Sequence, residues 1–486
     1  MNILAIDQGT SSTKALVVGD SGEVVSEAEV AVHPVAGADG SVEVDPNELW
    51  GSVVEAGRAA LTRAKDASVG AVGLANQGET VLAWDPKTGE AISSAIVWQD
   101  RRAASVCARL AAAGWGPRLT ELTGLELDPY FSAPKLAWLR EHVTTAGTTG
   151  TTDTWIVQRL TGAYVTDAAT ASRSLLLDLD SGAWSEEACG AFAIDPADLP
   201  AIVDCAGPVG ETDAFGPTLP LTGLAVDQQA ALFAESCFVP GDVKCTYGTG
   251  AFLLANTGTT ARRSHNGLVS CIAWRLDGVD TYCLDGQVYT VGSAVGWLEE
   301  IGLIAESADL DRVGGSVASA GGAVFVPGLA GLGAPFWAPH AKGAFTGLTL
   351  ATTRANLVRA VIEGIAAQVA WLGRAAAQDL GAPLTRLRVD GGLTRSHTLL
   401  QLQADLAQVP IEVYPSPNAT ALGVAALARL GSGGASTPAD AVGSWKPGAV
   451  YEPAIDPDHA DEILTAWREA AEATLRLHGA GPSDPP

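Results

Sequence analysis

The chain has 486 residues, 47% hydrophobic and 17% charged, a balance that excludes a disordered polymer. That length exceeds one ordinary core, so two large domains are the natural reading. A formal net charge of −26 excludes a broad basic face for nucleic acid or an anionic membrane, and any bound phosphate must be gripped locally.

The chain opens on a strand. Asn2 to Ile6 and Thr13 to Val18 are apolar, β-prone runs around Asp7-Gln8-Gly9-Thr10-Ser11-Ser12, which predicts a hairpin. Gly9 lets backbone approach a ligand closely, and Thr10, Ser11 and Ser12 offer hydroxyls and amides to an anion. Asp7, at the strand end, is placed to hold Mg²⁺ through water. Taken alone, the pattern equally suits an ordinary polar turn. A second copy, Lys244-Cys245-Thr246-Tyr247-Gly248-Thr249-Gly250-Ala251-Phe252, follows about half a chain later. Repetition suggests a duplicated domain, with one phosphate-facing hairpin from each half and a nucleotide between them.

Between the copies, Asp45-Pro46 opens a helix with Asp45 as N-cap and a stripe of Leu49, Val53 and Ala56. Gly70 to Ala75 is a buried-type strand that delivers Asn76-Gln77-Gly78-Glu79-Thr80 at its end, where open α/β sheets place ligand residues. Ala95 to Trp98 runs into Gln99-Asp100-Arg101-Arg102. Asp128 to Lys135 leads into a helix from Leu136 to His142, and Thr144 to Thr152 reads as a loop. Leu224-Ala225-Val226-Asp227-Gln228-Gln229 puts Asp227 at a strand–helix junction, and the boundary is set here: residues 1–223 and 224–486. Beyond it, Asn356 to Leu380 and Ala419 to Leu430 are apolar helices, and Pro457 to Leu477 is an amphipathic one. Arg388 to Thr394 is a strand and glycine turn through Asp390, Gly391 and Gly392, whose amides can receive an anion. From about residue 479 a disordered tail is expected.

Seven cysteines in odd number, with no C-x-x-C pair, read as buried reduced thiols. The first residues have no signal-peptide core, and no stretch carries the roughly 18 apolar residues of a membrane span. A soluble cytoplasmic protein is expected.

Taken in order, Asp7 to Thr10, Ala95 to Arg102, Asp128 to Lys135, Asp227-Gln228-Gln229, Tyr247 to Gly250 and Asp390 to Gly392 resemble the FGGY carbohydrate kinases over nearly the whole length. Two longer signatures fit as well, Tyr130 through Trp138 to His142 and Gly343 through Asn356 to Glu363. Among these kinases the chain is most similar to the glycerol kinases.

The resemblance implies an α/β fold of two actin-like (ribonuclease H-like) domains with the active site in the cleft between them. It implies ATP, Mg²⁺ and a small polyol or sugar as ligands, and a homodimer or homotetramer. Position by position, Asp227 matches the catalytic base, as in-line phosphoryl transfer to a hydroxyl requires. Glu79, Trp98, Tyr130, Asp227, Gln228 and Phe252 match substrate positions. Thr10, Ser11, Ser12, Lys14 and Thr249 match phosphate contacts. Gly292, Gly392 and Leu393 fall on the nucleotide side, where Gly296 and His397 replace the usual Gln and Asn. Asp7 and Asp227 are the candidate metal carboxylates.

Lys14 stands where glycerol kinases carry Arg, which keeps the charge but loses the bidentate fork. The larger departure is Gly78, where glycerol kinases carry an Arg that clamps two acceptor hydroxyls. Its loss removes a charged donor worth about 1.5–3 kcal/mol and opens space, which points to a longer polyol such as erythritol or a pentitol, or to a ketopentose such as xylulose or ribulose. Arg101 and Arg102 are the basic residues close in sequence, and both read first as structural or surface charge. An actin-like ATPase without a small acceptor is the alternative from another class.

Overall fold

The structure is a computed structural model that describes residues 1–37, 40–65 and 67–477. The tail expected to be disordered lies outside the described residues. Two mixed sheets of the same winding form its frame. In the first, β1 (Asn2–Gln8), β2 (Ser12–Val18) and β3 (Val24–Ala31) make an antiparallel meander, and β4 (Val69–Asn76) runs parallel to β1 on its other side. Edge strand β5 (Ala206–Thr212) is antiparallel to β6 (Leu219–Val226), which lies parallel to β4.

In the second sheet, β7 (Val243–Tyr247) and β8 (Ala251–Gly258) form the hairpin. Outside β8 lie β9 (Val269–Leu276) and β10 (Val279–Val288), with β10 against β8. On the other side, β11 (Leu387–Asp390) is parallel to β7, β12 (Ile411–Val413) is parallel to β11, and β13 (Ala449–Tyr451) closes the edge. The order β3-β2-β1-β4-β6 therefore recurs as β10-β8-β7-β11-β12 with the same directions. The duplication expected from the two Gly/Thr turns is a duplication of the whole five-strand unit, as two actin-like domains require.

The strands read as near-continuous apolar runs because helices cover both faces; Ile3, Leu4, Ala5 and Ile6 are all inaccessible to solvent. The helix Pro46–Ala64 starts as its sequence demands, with Asp45 accepting the Asn47 amide at 2.8 Å and Leu49, Val53 and Ala56 buried. The helix Arg354–Leu380 is opened by a Thr353/Asn356 capping box and ended by Gly381 at φ +70°. Its length and hydropathy alone would let it cross a membrane, but 67% of its most apolar window is buried within the fold. All seven cysteines are free and buried.

Three expectations need adjusting. The division after Gly223 falls inside β6, whose last residues Leu224, Ala225 and Val226 stay in the first sheet. The helix Ala419–Gly431, far along the chain, packs against β1, β4 and β6 and belongs to the first core rather than the second. Within the stretch read as a loop, Thr148–Thr151 is a strand that pairs with Val81–Trp84; β-branched threonines tolerate that pleat well.

Candidate active site between the two sheets

The hairpin turns of β1–β2 and β7–β8 face one cavity of about 250 Å³. Each turn is closed by its own backbone: the Gly9 amide donates to the Ser12 carbonyl at 3.0 Å, and the Gly248 amide to the Gly250 carbonyl at 2.9 Å. A Cβ on Gly250 would lie 2.5 Å from the Val288 carbonyl oxygen, so this turn requires glycine. Thr10, Ser11, Ser12, Lys14 and Thr249 all line the cavity. Lys14 has no ion-pair partner among the described residues, which leaves its ammonium available to an anion.

Asp227 sits where β6 gives way to the helix Asp227–Ala234 and points into the same cavity. Its Oδ1 accepts the Gln228 backbone amide at 2.7 Å, and the Gln228 side chain also hydrogen-bonds the carboxylate. Burial raises its pKa, opposed by Lys244, by hydrogen bonds from the Gln228 backbone and side chain, and by Arg173. Lys244, fully buried, donates to Gln228 Oε1 and to Thr246 Oγ1, both at 2.7 Å, and so fixes the Gln228 side chain. The Thr246 hydroxyl in turn donates to Asp390.

One end of the cavity has aromatic walls. Trp98 meets Tyr130 and Phe252 edge-on, with ring centroids 5.8 and 6.0 Å away, and its indole N–H donates to Thr10 Oγ1 at 2.9 Å. Trp98 thereby ties the aromatic wall to the first hairpin turn. Beneath Tyr130, the buried Lys135 ammonium donates to the carbonyls of Pro129 (3.0 Å), Tyr130 and Phe131 (2.8 Å). Burial lowers its pKa to about 8.

Glu79 is 3% exposed and held at φ +59°, a left-handed conformation uncommon for glutamate and a form of strain found at functional sites. Its carboxylate is bound by Nε of Arg173, whose Nη1 binds Asp285 of β10 and whose Nη2 reaches the Tyr130 hydroxyl at 3.1 Å. Burial raises the Glu79 pKa, and Arg173 opposes the rise.

Arg101 and Arg102 are structural, as first read. Arg101 binds Asp128 at 3.0 Å and lies over the Tyr289 ring; Arg102 joins Asp100 and Glu43 and stacks on Trp138. Neither lines the cavity. Arg173 does, and the sequence reading passed over it. The available signal was a lone basic residue in the small, apolar run from Ala168 to Leu177, since arginine is seldom buried unless paired.

The nucleotide-side positions divide. Gly292 begins the helix Gly292–Glu300, and its amide donates to the Gly248 carbonyl at 3.0 Å, so this helix start abuts the second turn. Gly391, at φ +96°, lies against Tyr247, and the adjoining Gly392 and Leu393 form a short 3-10 turn beside the same hairpin. Gly296 faces open space. His397 is exposed and its ring is engaged by the Tyr451 hydroxyl, while its amide donates to Asp311 at 2.9 Å. None of these five candidates, Gly292, Gly296, Gly392, Leu393 and His397, lines this cavity.

Asp7 and Asp227 are close enough that the charge of Asp227 is second only to burial in raising the Asp7 pKa to about 7, against the pull of Lys14. Such an undercompensated pair beside two anion-type turns suits Mg²⁺, which binds through one or two carboxylates together with substrate phosphates. Among the described residues no cluster of three or more His, Cys, Asp or Glu forms a metal cage, so the donor set fits a metal that arrives with a nucleotide.

Comparison with known proteins shows the family. Residues 2–234 match the N-terminal domain, and residues 243–431 the C-terminal domain, of the FGGY family of carbohydrate kinases. The chain is 41% identical to a glycerol kinase of Aromatoleum aromaticum over 97% of its own length and 98% of that protein's. Among solved structures it resembles the Plasmodium falciparum glycerol kinase with ADP (TM-score 0.89, 31% identity, 98% of both chains). It also resembles a xylulose kinase from Rhodospirillum rubrum (TM-score 0.84, 27% identity, 98% of this chain and 99% of that one).

Proposed function

The chain belongs to the FGGY family of carbohydrate kinases, ATP-dependent phosphotransferases to an alcohol group, and on that premise we propose that it phosphorylates a terminal hydroxyl of a small polyol, glycerol or a longer one, with Asp227 as general base. One observation carries this reading: Asp227, Glu79, Gln228, Tyr130 and both anion-type turns share a single cavity. Phosphoryl transfer is mostly positioning and charge neutralisation, so a base aligned with a phosphate cradle is the needed constellation.

In the proposed mechanism the acceptor chain lies between Trp98 and Phe252, with Glu79 and Gln228 accepting or donating to its hydroxyls. The Asp227 carboxylate takes the proton of the attacking hydroxyl as it meets the γ-phosphoryl group. Thr10, Ser11, Ser12, Lys14 and Thr249 hold the phosphates, and the amides around Gly292 and Gly392 to Leu393 receive the rest of the nucleotide. Asp7 and Asp227 would hold Mg²⁺, which neutralises charge on the transferring group when bound. Work inside the cytoplasm, where ATP is supplied, follows from the same reading.

The likeness to a xylulose kinase favours one second reading, a ketopentose acceptor. ADP release from Mg-ATP, measured over glycerol, erythritol, threitol, xylitol, arabitol, xylulose and ribulose, decides between them by the best kcat/KM. ADP release independent of every acceptor would instead favour an ATPase without a small acceptor. Asp227→Asn is expected to lower kcat by about 10²–10⁴-fold while ATP still binds; near-normal turnover would remove Asp227 from its assigned role.

A further inference from the structure

Residue 78 has no side chain, yet the acceptor end does not lack a guanidinium. Resting on the kinase reading above, we propose that Arg173 is the guanidinium of the acceptor site: it positions Glu79 and Tyr130, donates to an acceptor hydroxyl, and restricts the pocket to a short, glycerol-sized polyol.

Three observations converge. Arg173 lines the cavity with Gly78, Glu79 and Tyr130. Four of its five N–H donors are engaged: Nε–H by Glu79, the two on Nη1 by Asp285 and the Cys271 sulfur (3.7 Å), and one on Nη2 by the Tyr130 hydroxyl. The second Nη2 hydrogen has no protein acceptor among the described residues, and Nη2 is the nitrogen beside Tyr130, an acceptor-wall residue. The fork is rigid and always charged, so fixing four donors aims the fifth.

The space above Gly78 is also taken. A Cβ on Gly78 would lie 2.9 Å from Val226 Cγ2, and Arg173 Nε is 3.8 Å from the same point. The Val226 methyl and the Arg173 guanidinium fill the direction in which a side chain at 78 would leave the backbone. A longer carbon chain extending along that direction would meet Val226 and Arg173. Charge supports the same arrangement. Arg173 stands between Glu79 and Asp285, each 3% or less exposed. One cation between two buried carboxylates keeps hydroxyl-accepting capacity on Glu79 while holding it in its left-handed position.

The test is acceptor kinetics by ADP release with the full-length protein, alongside thermal unfolding. The variants are Arg173→Lys, Arg173→Gln, and Arg173→Gln combined with Gly78→Arg and Val226→Gly, which delivers a guanidinium from residue 78 into space vacated by Val226. Wild type is expected to prefer glycerol to the five-carbon polyols. Arg173→Lys and Arg173→Gln are expected to raise acceptor KM about 10- to 100-fold, the loss of a charged hydrogen bond, with kcat and ATP KM moving far less. The triple variant is expected to recover most of that loss.

Arg173→Lys keeps a cation between the two carboxylates, so it carries the test should Arg173→Gln fail to fold. A folded, active Arg173→Lys with acceptor KM within about twofold of wild type overturns the role of Arg173 and leaves the kinase reading standing. A five-carbon preference in wild type overturns the size restriction. A wild type that turns over no acceptor removes the kinase reading, and this proposal with it.

Discussion

At the scale of single residues, the site is built from charges that folding has moved away from their ordinary behaviour. Burial, then the charge of Asp227, raises the Asp7 pKa to about 7. A carboxyl whose folded pKa exceeds its unfolded one binds more protons in the folded state, so its contribution to stability falls as pH rises from the unfolded value through about 7. Asp7→Asn is therefore expected to raise the thermal midpoint at about pH 8, where wild type carries the unfavourable charge, but not at about pH 4, where both are neutral. The same variant should weaken Mg²⁺-dependent turnover. An Asp7→Asn protein no more stable than wild type at the higher pH would mean that the Asp7 charge is not strained in the fold. Turnover should also fall with acidification, at a higher pH than an unburied aspartate would give, because burial raises the pKa of Asp227 and only its ionised form is a base. Asp227 and Glu79 were legible in the sequence as carboxylates at the ends of apolar runs. Arg173 and Lys244 obey the same rule in reverse, as buried cations, but their partners come from other segments and no local spacing announces them.

At the scale of elements, close approach is arranged by glycine on both sides of one interface. The helix Ala419–Gly431 lies so near the first sheet that a Cβ on Gly73 would meet the Val424 carbonyl oxygen at 2.5 Å and one on Gly223 the Ala428 amide at 2.6 Å. From the helix side, a Cβ on Gly423 would lie 1.8 Å from the Ala230 carbonyl oxygen, and one on Gly431 2.1 Å from that of Thr222. All four neighbours are backbone atoms, which cannot rotate away. Gly423→Ala is thus expected to destabilise by about 3 kcal/mol or more, at the upper end of overpacking; a loss under about 1 kcal/mol in denaturant unfolding would show that the helix can slide outward. Because Ala230 belongs to the helix that Asp227 begins, a surviving variant should also lose turnover. The hydrophobic period revealed the existence and span of Ala419–Gly431 to within a residue. Its partner could not be read, since an apolar stripe records that a helix is buried without recording against what.

At the scale of the whole molecule, the same helix decides how independent the two halves are. The sequence was divided in order along the chain, at a point that lies inside β6. In space, the chain passes through the second sheet to β12, crosses to lay Ala419–Gly431 on the first, and returns to β13. Further ties run the other way. The Ser270 amide of β9 donates to the Gly124 carbonyl at 2.8 Å, the Ile272 amide to the Ser172 hydroxyl at 2.9 Å, and Arg173 reaches Asp285 of β10. Two-domain chains commonly unfold in separate steps, but here the first core is incomplete without chain from the second half, the helix Ala419–Gly431 included, and the second sheet is tied back to the first half by these hydrogen bonds. Denaturant unfolding followed by near-ultraviolet circular dichroism and by proteolytic fragment mapping is expected to give one coincident transition. Gly423→Ala should shift that transition as a unit instead of splitting it. Protease-resistant second-half fragments surviving after the first half has melted would show that the crossing helix detaches first. In that case the halves are coupled by the bound ligands in the cleft rather than by the fold.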